Sequence, residues 1–479
     1  MDRLSALDAE FLHLEDDVSH MHIAGICTFD APMPSLQDLH DLVAAKLHLI
    51  PRYRQVVRTV PLELGRPVWV DDPHFHLDYH LRHTALPSPG GRAELETLMG
   101  RLMSQPLDRR RPLWEAWLVE GLEDGAWALI FKVHHCMVDG ISGVGLLTVL
   151  LDLSPDAPLP DPEPWSPEPP PSGAGLVLDA WGGALCDAGE LVADLPALAT
   201  DPRAAAVRVG GLAAGAGRLA ARLVPGSGAR TPVAGDIGPH RVWAHSTVPF
   251  EAVREVRRHL GGTVNDVIMA AVTGGYRAVL LAHGEDPARC SVRSLVPVSV
   301  RGREGRGVPD NQVSGLLLDL PVEVEDPVER LAEVRRRMGA LKASHIDEAA
   351  VLVERLGNLA PPALVQSATR LGVASQRFLT QRSVTTVTTN VPGPQFPLYC
   401  LGRELRSYLP FVPIAHGLRI GTAILSYNGE IAFGVTGDLS VGEDVEVLAE
   451  SVATGVIALR DAALPGPAAD RPVDGYPRG

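Results

Sequence analysis

The residues best suited to chemistry lie in one short run, His134-His135-Cys136-Met137-Val138-Asp139-Gly140. A neutral imidazole, with an ordinary pKa near ~6.5, can take a proton from a hydroxyl at neutral pH. That hydroxyl can then attack a thioester carbonyl directly, so no covalent enzyme intermediate is needed. The chain carries no Gly-x-Ser-x-Gly nucleophile elbow. Cys136 adjoins His135, so its side chain points elsewhere, and it reads as a packing thiol rather than a nucleophile. The His-x-x-x-Asp spacing lacks the His-Glu-x-x-His pattern and a third ligand at a fixed offset, so no metal site is expected. Against the catalytic reading stands a plain one, because adjacent histidines are often packing residues of the core or surface.

The elements that must position this run can be read on either side of it. Residues 127–134 (Trp-Ala-Leu-Ile-Phe-Lys-Val-His) form an apolar, strand-like stretch that runs straight into the motif. Successive strand side chains face opposite ways, which gives the two histidines different jobs: one faces a cleft and the other packs inward. Gly140 permits a tight turn, and Ile141–Leu153 then reads as a helix with Val144, Leu147 and Leu151 on one face. Residues 113–120 read as a second strand, joined to the first through Glu123-Asp124-Gly125, a hairpin signal. Leu36, Leu39, Val43, Leu47 and Ile50 recur at steps of three or four, which predicts an amphipathic helix over 36–50. Asn428-Gly429 between Ile420–Tyr427 and Ile431–Val435 is the strongest hairpin signal in the chain.

The chain has 479 residues, enough for two to four domains of roughly 100–200 residues each. Prolines crowd residues 156–172 and leave too few amide donors for a sheet or helix interior, so an extended linker is expected there. The predicted organisation is α/β (α+β): a first lobe over 1–155, a Pro-rich linker with an Ala/Gly-rich helical connector over 156–237, a second lobe over 238–464, and a disordered tail over 465–479. The net charge of −15 argues against a nucleic-acid binder, which needs a basic face to replace counterions. Five scattered cysteines (Cys27, Cys136, Cys186, Cys290, Cys400) contain no Cys-x-x-Cys pair, so reduced, buried thiols are expected. The charged N-terminus has no signal-like apolar core, and no run of ~18 uncharged apolar residues is present. A cytoplasmic location is expected by default, with peripheral membrane contact open. Arg203, Arg208, Arg218 and Arg222 lie among Ala, Val and Leu with no acidic residue between them. Two readings compete for that stretch: a basic amphipathic helix on an anionic lipid surface, or a linker helix packed on the lobes.

The motif His-His-x-x-x-Asp-Gly resembles the signature of the coenzyme-A-dependent acyltransferase superfamily, which includes chloramphenicol-acetyltransferase-like enzymes and condensation domains. Other segments narrow the resemblance to the bacterial wax ester synthase/diacylglycerol acyltransferase family. They are Leu4 through Glu15, Met21-His22-Ile23-Ala24-Gly25, Pro106 through Glu115, Gly262-Thr263-Val264-Asn265-Asp266-Val267, Val296 through Arg301, and Thr389-Asn390-Val391-Pro392-Gly393-Pro394. They follow one another from residue 4 to residue 394 and so cover most of the chain.

The resemblance implies two chloramphenicol-acetyltransferase-like lobes of mixed sheet plus helices with an active-site channel between them. It also implies acyl transfer from acyl-CoA, as co-substrate with no separate cofactor, to diacylglycerol or a long-chain alcohol. By the same resemblance His135 is the general base, His134 orients, and Asp139 with Gly140 scaffolds the loop, Arg301 being the expected partner of Asp139. Asn265 and Asp266 read either as a helix N-cap or as groups that shape the channel or its oxyanion donors. Pro112, Leu113 and Trp114 read as packing. Arg303 and Arg306 are weak candidates for the phosphates of coenzyme A. The alternatives are a condensation-type or polyketide-associated enzyme using a carrier-protein thioester, and a non-catalytic lipid-surface protein.

Overall fold

The computed structural model describes residues 2–137, 149–182, 231–299, 313–342 and 384–464. In the first half of the chain the strands are β1 (Asp2–Arg3), β2 (His22–Phe29), β3 (Gln55–Arg58), β4 (Val68–Asp71), β5 (Leu81–Ala85), β6 (Trp114–Glu120) and β7 (Trp127–His134). The second half supplies β8 (Ala234–Gly235), β9 (Arg241–Pro249), β10 (Val292–Ser299), β11 (Val313–Leu320), β12 (Thr386–Pro392), β13 (Tyr399–Cys400), β14 (Arg403–Phe411), β15 (Gly417–Leu418), β16 (Ile420–Tyr427) and β17 (Glu430–Asp438). Two mixed six-stranded sheets result, in the orders β13-β14-β2-β7-β6-β5 and β11-β10-β12-β16-β17-β9.

The first sheet is completed by β13 and β14, which lie within 238–464 in sequence; β14 pairs with β2 from Leu405↔Phe29 to Phe411↔Ala24. That pairing needs Gly25, because a Cβ there would sit 2.3 Å from the Tyr408 ring. The sheets meet through β14 and β17, where a Cβ at Gly434 would lie 1.7 Å from the Pro410 carbonyl oxygen. Trp243 Nε1 donates to that same oxygen at 3.2 Å. Glu96 and His245 tie the first lobe to β9 at 2.9 Å.

The helices are α1 (Ala6–Leu14), α2 (Leu36–Lys46), α3 (Leu77–His80), α4 (Arg92–Met103), α5 (Phe250–Leu260), α6 (Val264–Ala282), α7 (Pro327–Lys342) and α8 (Gly442–Ala463). The apolar stripe predicted over 36–50 packs through Leu39, Val43 and Leu47 onto the first sheet, although the α-helix tightens to a 3-10 turn after Lys46. α4 covers the other face, with Met99 and Leu102 against Ile26, Val119 and Ile130. The second sheet buries Val435, Phe433 and Ile424 under α5, α6 and α8. By length and composition α6 could cross a membrane, yet most of it is buried as the core helix of this lobe.

Both hairpins adopt the conformation their residues favour. Asn428 and Gly429 have φ of 42° and 87°, and Asp124 and Gly125 have 58° and 69°. The proline-rich stretch forms neither helix nor strand over 157–172 and is tied down by Trp165, over which the Arg54 guanidinium lies at 4.6 Å. The described part of the connector, 173–182, is helical. The rest of the connector, including Arg203, Arg208, Arg218, Arg222 and Cys186, lies outside the described residues, as does the tail over 465–479.

Candidate active site

β7 ends on His134, and a 3-10 turn, His135–Met137, follows at once. His134 donates its backbone N–H to the Leu113 carbonyl at 2.9 Å, and His135 donates its own to the Met21 carbonyl at 2.8 Å. The turn is therefore held between the Pro112-Leu113-Trp114 segment and the strand entry at 19–22. Trp114 is buried, with its Nε1 donating to the Tyr53 carbonyl at 2.8 Å, so this segment packs and frames the turn.

The two histidines differ in their surroundings, His134 closing the strand and His135 opening the turn. His134 is fully buried, and its Nδ1 accepts the Cys136 N–H at 3.1 Å. His135 is half-buried and stacks on Phe11 of α1 with ring centroids 3.9 Å apart. Burial lowers the His135 imidazole to a pKa of about 4; its own carbonyl opposes this, and the neighbouring His134 ring works in the same direction as burial. Among the described residues His135 Nδ1 has no partner in hydrogen-bond geometry. At neutral pH the ring is uncharged, which is the form a proton acceptor needs. Cys136 is buried; burial, reinforced by the charges of Asp8 and Glu15, pushes its thiol well above the ordinary range and leaves it protonated. That is the chemistry of a packing thiol.

Behind the turn lies a polar cluster that sequence reasoning did not assemble. His22 stands directly across from His134 in the β2–β7 ladder, with ring centroids 5.7 Å apart. The Glu15 carboxylate, 8% exposed, lies 3.0 Å from His22 Nε2 and 3.4 Å from His134 Nε2. Arg109 closes it from outside, its Nε donating to Glu15 Oε2 at 2.8 Å. Burial raises the Glu15 carboxyl, but the neighbouring His134 and His22 outweigh it and hold the group well below the ordinary carboxylate range. Burial lowers His22 to about 3 and also lowers His20, which stacks on His22. Lys132, buried in the same strand as His134, donates to the Leu102 carbonyl at 2.9 Å and is lowered to about 8, chiefly by burial. The signal for this cluster was one charged or imidazole side chain in each of three motif segments: Glu15 at the end of one, His22 in the next, Arg109 in a third.

Asn265 and Asp266 sit at the start of α6, and there the capping assignment changes. The N-cap is Thr263, which accepts from the Asp266 N–H at 3.2 Å, while Asp266 Oδ2 accepts from the Thr263 N–H at 2.8 Å. Asp266 is thus the third helical residue of a capping box, and Asn265 takes no part in the cap. Asn265 Oδ1 instead accepts from Asn390 Nδ2 at 3.1 Å, joining α6 to β12 and two motif segments to each other. It shares no hydrogen bond with His134 or His135. Asp139, Gly140, Arg301, Arg303 and Arg306 lie outside the described residues.

Two lobes of mixed sheet, a strand crossing from the second half of the chain into the first sheet, and a neutral histidine on a turn at the end of a buried strand define a two-lobed, chloramphenicol-acetyltransferase-like acyltransferase. More narrowly, the chain belongs to the wax ester synthase/diacylglycerol acyltransferase family: the model of that family's catalytic domain matches residues 4–268, and that of its C-terminal domain matches 310–460. A putative diacylglycerol O-acyltransferase of Mycobacterium bovis is 36% identical over 463 residues, 96% of each chain. A probable diacylglycerol O-acyltransferase of Mycobacterium tuberculosis matches to the same extent. The solved wax ester synthase/diacylglycerol acyltransferase of Marinobacter aquaeolei VT8 is 25% identical with a TM-score of 0.68, covering 97% of this chain and 100% of that one. The first condensation domain of the calcium-dependent antibiotic synthetase, 18% identical with a TM-score of 0.53 and 96% of each chain covered, shares the fold.

Proposed function

We propose that this chain moves a long-chain acyl group from acyl-CoA to diacylglycerol, to a long-chain alcohol, or to both, with His135 as the general base. The observation that carries the reading is the placement of His135: a neutral, half-buried imidazole, presented by a braced turn in a chain of this family. The imidazole removes the acceptor's hydroxyl proton as the oxygen attacks the thioester carbonyl. The tetrahedral adduct collapses, the C–S bond breaks, and the thiolate takes the proton back from the imidazolium. Both substrates reach His135 through a channel between the lobes. With its oxygen engaged by Asn390, Asn265 keeps its own amide N–H groups to donate to a developing oxyanion. Asp139, paired with Arg301, scaffolds the loop after the base, and Arg303 and Arg306 are candidates for the phosphates of coenzyme A.

The enzyme works from the cytoplasmic side, in peripheral contact with the membrane or lipid droplet that holds its acceptor. Exposed apolar side chains support this placement. Leu62, 86% exposed with a φ of 55°, tips the loop between β3 and β4. Beside that loop runs the helix over 173–182, where Leu176 and Ala180 pack on Val56 of β3 and Val68 and Val70 of β4, and Leu178 and Trp181 are 73% and 63% exposed. Apolar residues of this size on a surface fit a lipid interface, where Trp is favoured. The stretch Arg203–Val224 would add charge attraction to anionic lipid.

The test is incubation of purified protein with labelled palmitoyl-CoA and either diolein or hexadecanol, following ester and free coenzyme A. Ester from the native chain and none from His135→Ala is the expected result; no ester with any acyl-CoA overturns the reading.

A further inference from the structure

Glu15 is the residue that follows α1, and its backbone has left the helix (φ −73°, ψ 128°). From there the chain passes through 16–21 into β2, and each end of this strap touches the turn that carries His135. At the far end Met21 accepts the His135 N–H; at the near end Glu15 faces His134. The middle is tied to the second lobe, where His416 lies 2.7 Å from Asp16 and Arg241 donates to the Val18 carbonyl.

The chemistry of His134 follows from its two ring nitrogens. Nδ1 accepts the Cys136 N–H, so in this arrangement the ring proton belongs on Nε2. Nε2 lies 3.4 Å from Glu15 Oε2, its nearest charged group, and among the described residues it has no partner in full hydrogen-bond geometry. The Cys136 amide is the first after His135, so its direction sets the turn on which the base rides. A carboxylate partner on a neighbouring histidine is a common device for holding tautomer and ring orientation.

We propose that Glu15 is a positioning residue for acyl transfer: its carboxylate holds His134 as the Nε2–H tautomer, and His134, through the Cys136 amide, aims the turn that presents His135. Arg109 and His22 keep the carboxylate charged and pointed inward. The inference rests on the reading of His135 as the base. Glu15 touches neither substrate in this scheme, so its removal slows the chemical step and leaves binding alone. Small misplacements of a catalytic group cost on the order of 100-fold in rate, so a loss of roughly 10- to 100-fold in kcat is expected for Glu15→Gln.

The experiment compares Glu15→Gln, His134→Asn, the double variant and His135→Ala in the full chain. It follows coenzyme A release from palmitoyl-CoA with diolein and melting by circular dichroism. The expected pattern is a fall in kcat for Glu15→Gln with KM for palmitoyl-CoA within about twofold of native and a folded, cooperative melt. The double variant should be no slower than the slower single one, because both changes cut the same path. If Glu15→Gln fails to fold, Glu15→Asp, which keeps the charge but withdraws it from His134, takes its place with the same expectation. Native kcat in the Glu15 variant while His135→Ala is dead overturns this inference alone. So does a double variant whose losses multiply, or a KM that rises in step with the loss of kcat. Activity surviving in His135→Ala overturns the reading beneath it.

Discussion

The two sheets bury different kinds of polar group. Around the β2–β7 ladder the first sheet encloses His20, His22, His134 and Lys132, with Glu15 against them. Across its middle strands the second sheet buries hydroxyls instead: Ser294 Oγ donates to Thr388 Oγ1 at 2.8 Å, Tyr276 Oη meets Thr386 Oγ1 at 2.5 Å, and Thr422 and Thr436 are buried, while its buried charges, Arg241 and Asp438, face each other at the β9–β17 edge. Hydroxyls carry no charge and cost less to bury than ions, so they tune the packing of a sheet without titrating, although the Thr422 and Thr436 hydroxyls have no partner among the described residues. Imidazoles, an ammonium and a carboxylate cost more to desolvate and are kept where they are arranged around one another. The difference is that the first sheet gathers imidazoles, an ammonium and a carboxylate around one strand pair, whereas the centre of the second holds hydroxyls and leaves its charges at the edge.

That contrast can be broken by experiment. The largest effect is expected from His135→Ala, which should lower kcat by about 10²- to 10⁴-fold, the usual contribution of a general base, with an unchanged melt. Coenzyme A release and circular dichroism check both parts, and measurable turnover near the native rate would end the assignment. The Glu15 and His134 variants come next, at roughly 10- to 100-fold.

A third effect is expected at the lipid surface. Changing Leu62, Leu178 and Trp181 together to serine should cut co-sedimentation with vesicles several-fold and leave turnover of detergent-dispersed substrate intact. Changing Arg203, Arg208, Arg218 and Arg222 to serine tests the basic stretch separately, and unaltered binding in either set removes that segment.

The pH dependence separates the two sheets. Burial lowers His135 to about 4, so kcat/KM should stay flat from pH 7 to about 5 and fall with a midpoint near 4. Stopped assays on protein held at pH 7 until mixing give the profile; an inflection near the ordinary 6.5 would contradict the burial of the ring. Stability should fall over a different window. His22 is lowered from 6.5 to about 3 in the folded chain, so between those values the unfolded chain binds the extra proton and stability drops as pH falls. Urea midpoints at pH 7 and 4.5 should converge in His22→Asn relative to native. The smallest effect belongs to the second sheet. Thr386→Val should cost about 1–2 kcal/mol of stability, from the unpaired Tyr276 hydroxyl, and leave the pH profile of activity where it was.

Much of this was legible in the residues. Alternation along 127–134 assigned different surroundings to His134 and His135, and Asn428-Gly429 set the β16–β17 hairpin, because both are local consequences of backbone geometry. The motif segments pointed to the family. The local reading was imprecise at α6, where the Asn-Asp pair read either as the N-cap or as groups shaping the channel: Thr263 is the cap and Asp266 only its capping-box partner. Asn and Asp are both good caps, and only the hydrogen bonds show which residue leaves the helix.

What the sequence by itself determined is the set of chemical parts and their local elements: a strand ending in two histidines, a proline-rich linker, and apolar helices. The tertiary structure decided which parts meet. Glu15, His22, Arg109 and His134 are spread over about 120 positions, and they come together only because β2 pairs with β7 in the register that sets His22 opposite His134. β14 enters the first sheet from the far end of the chain for the same reason: long-range strand pairing is settled by burial and complementary shape, which no local spacing records.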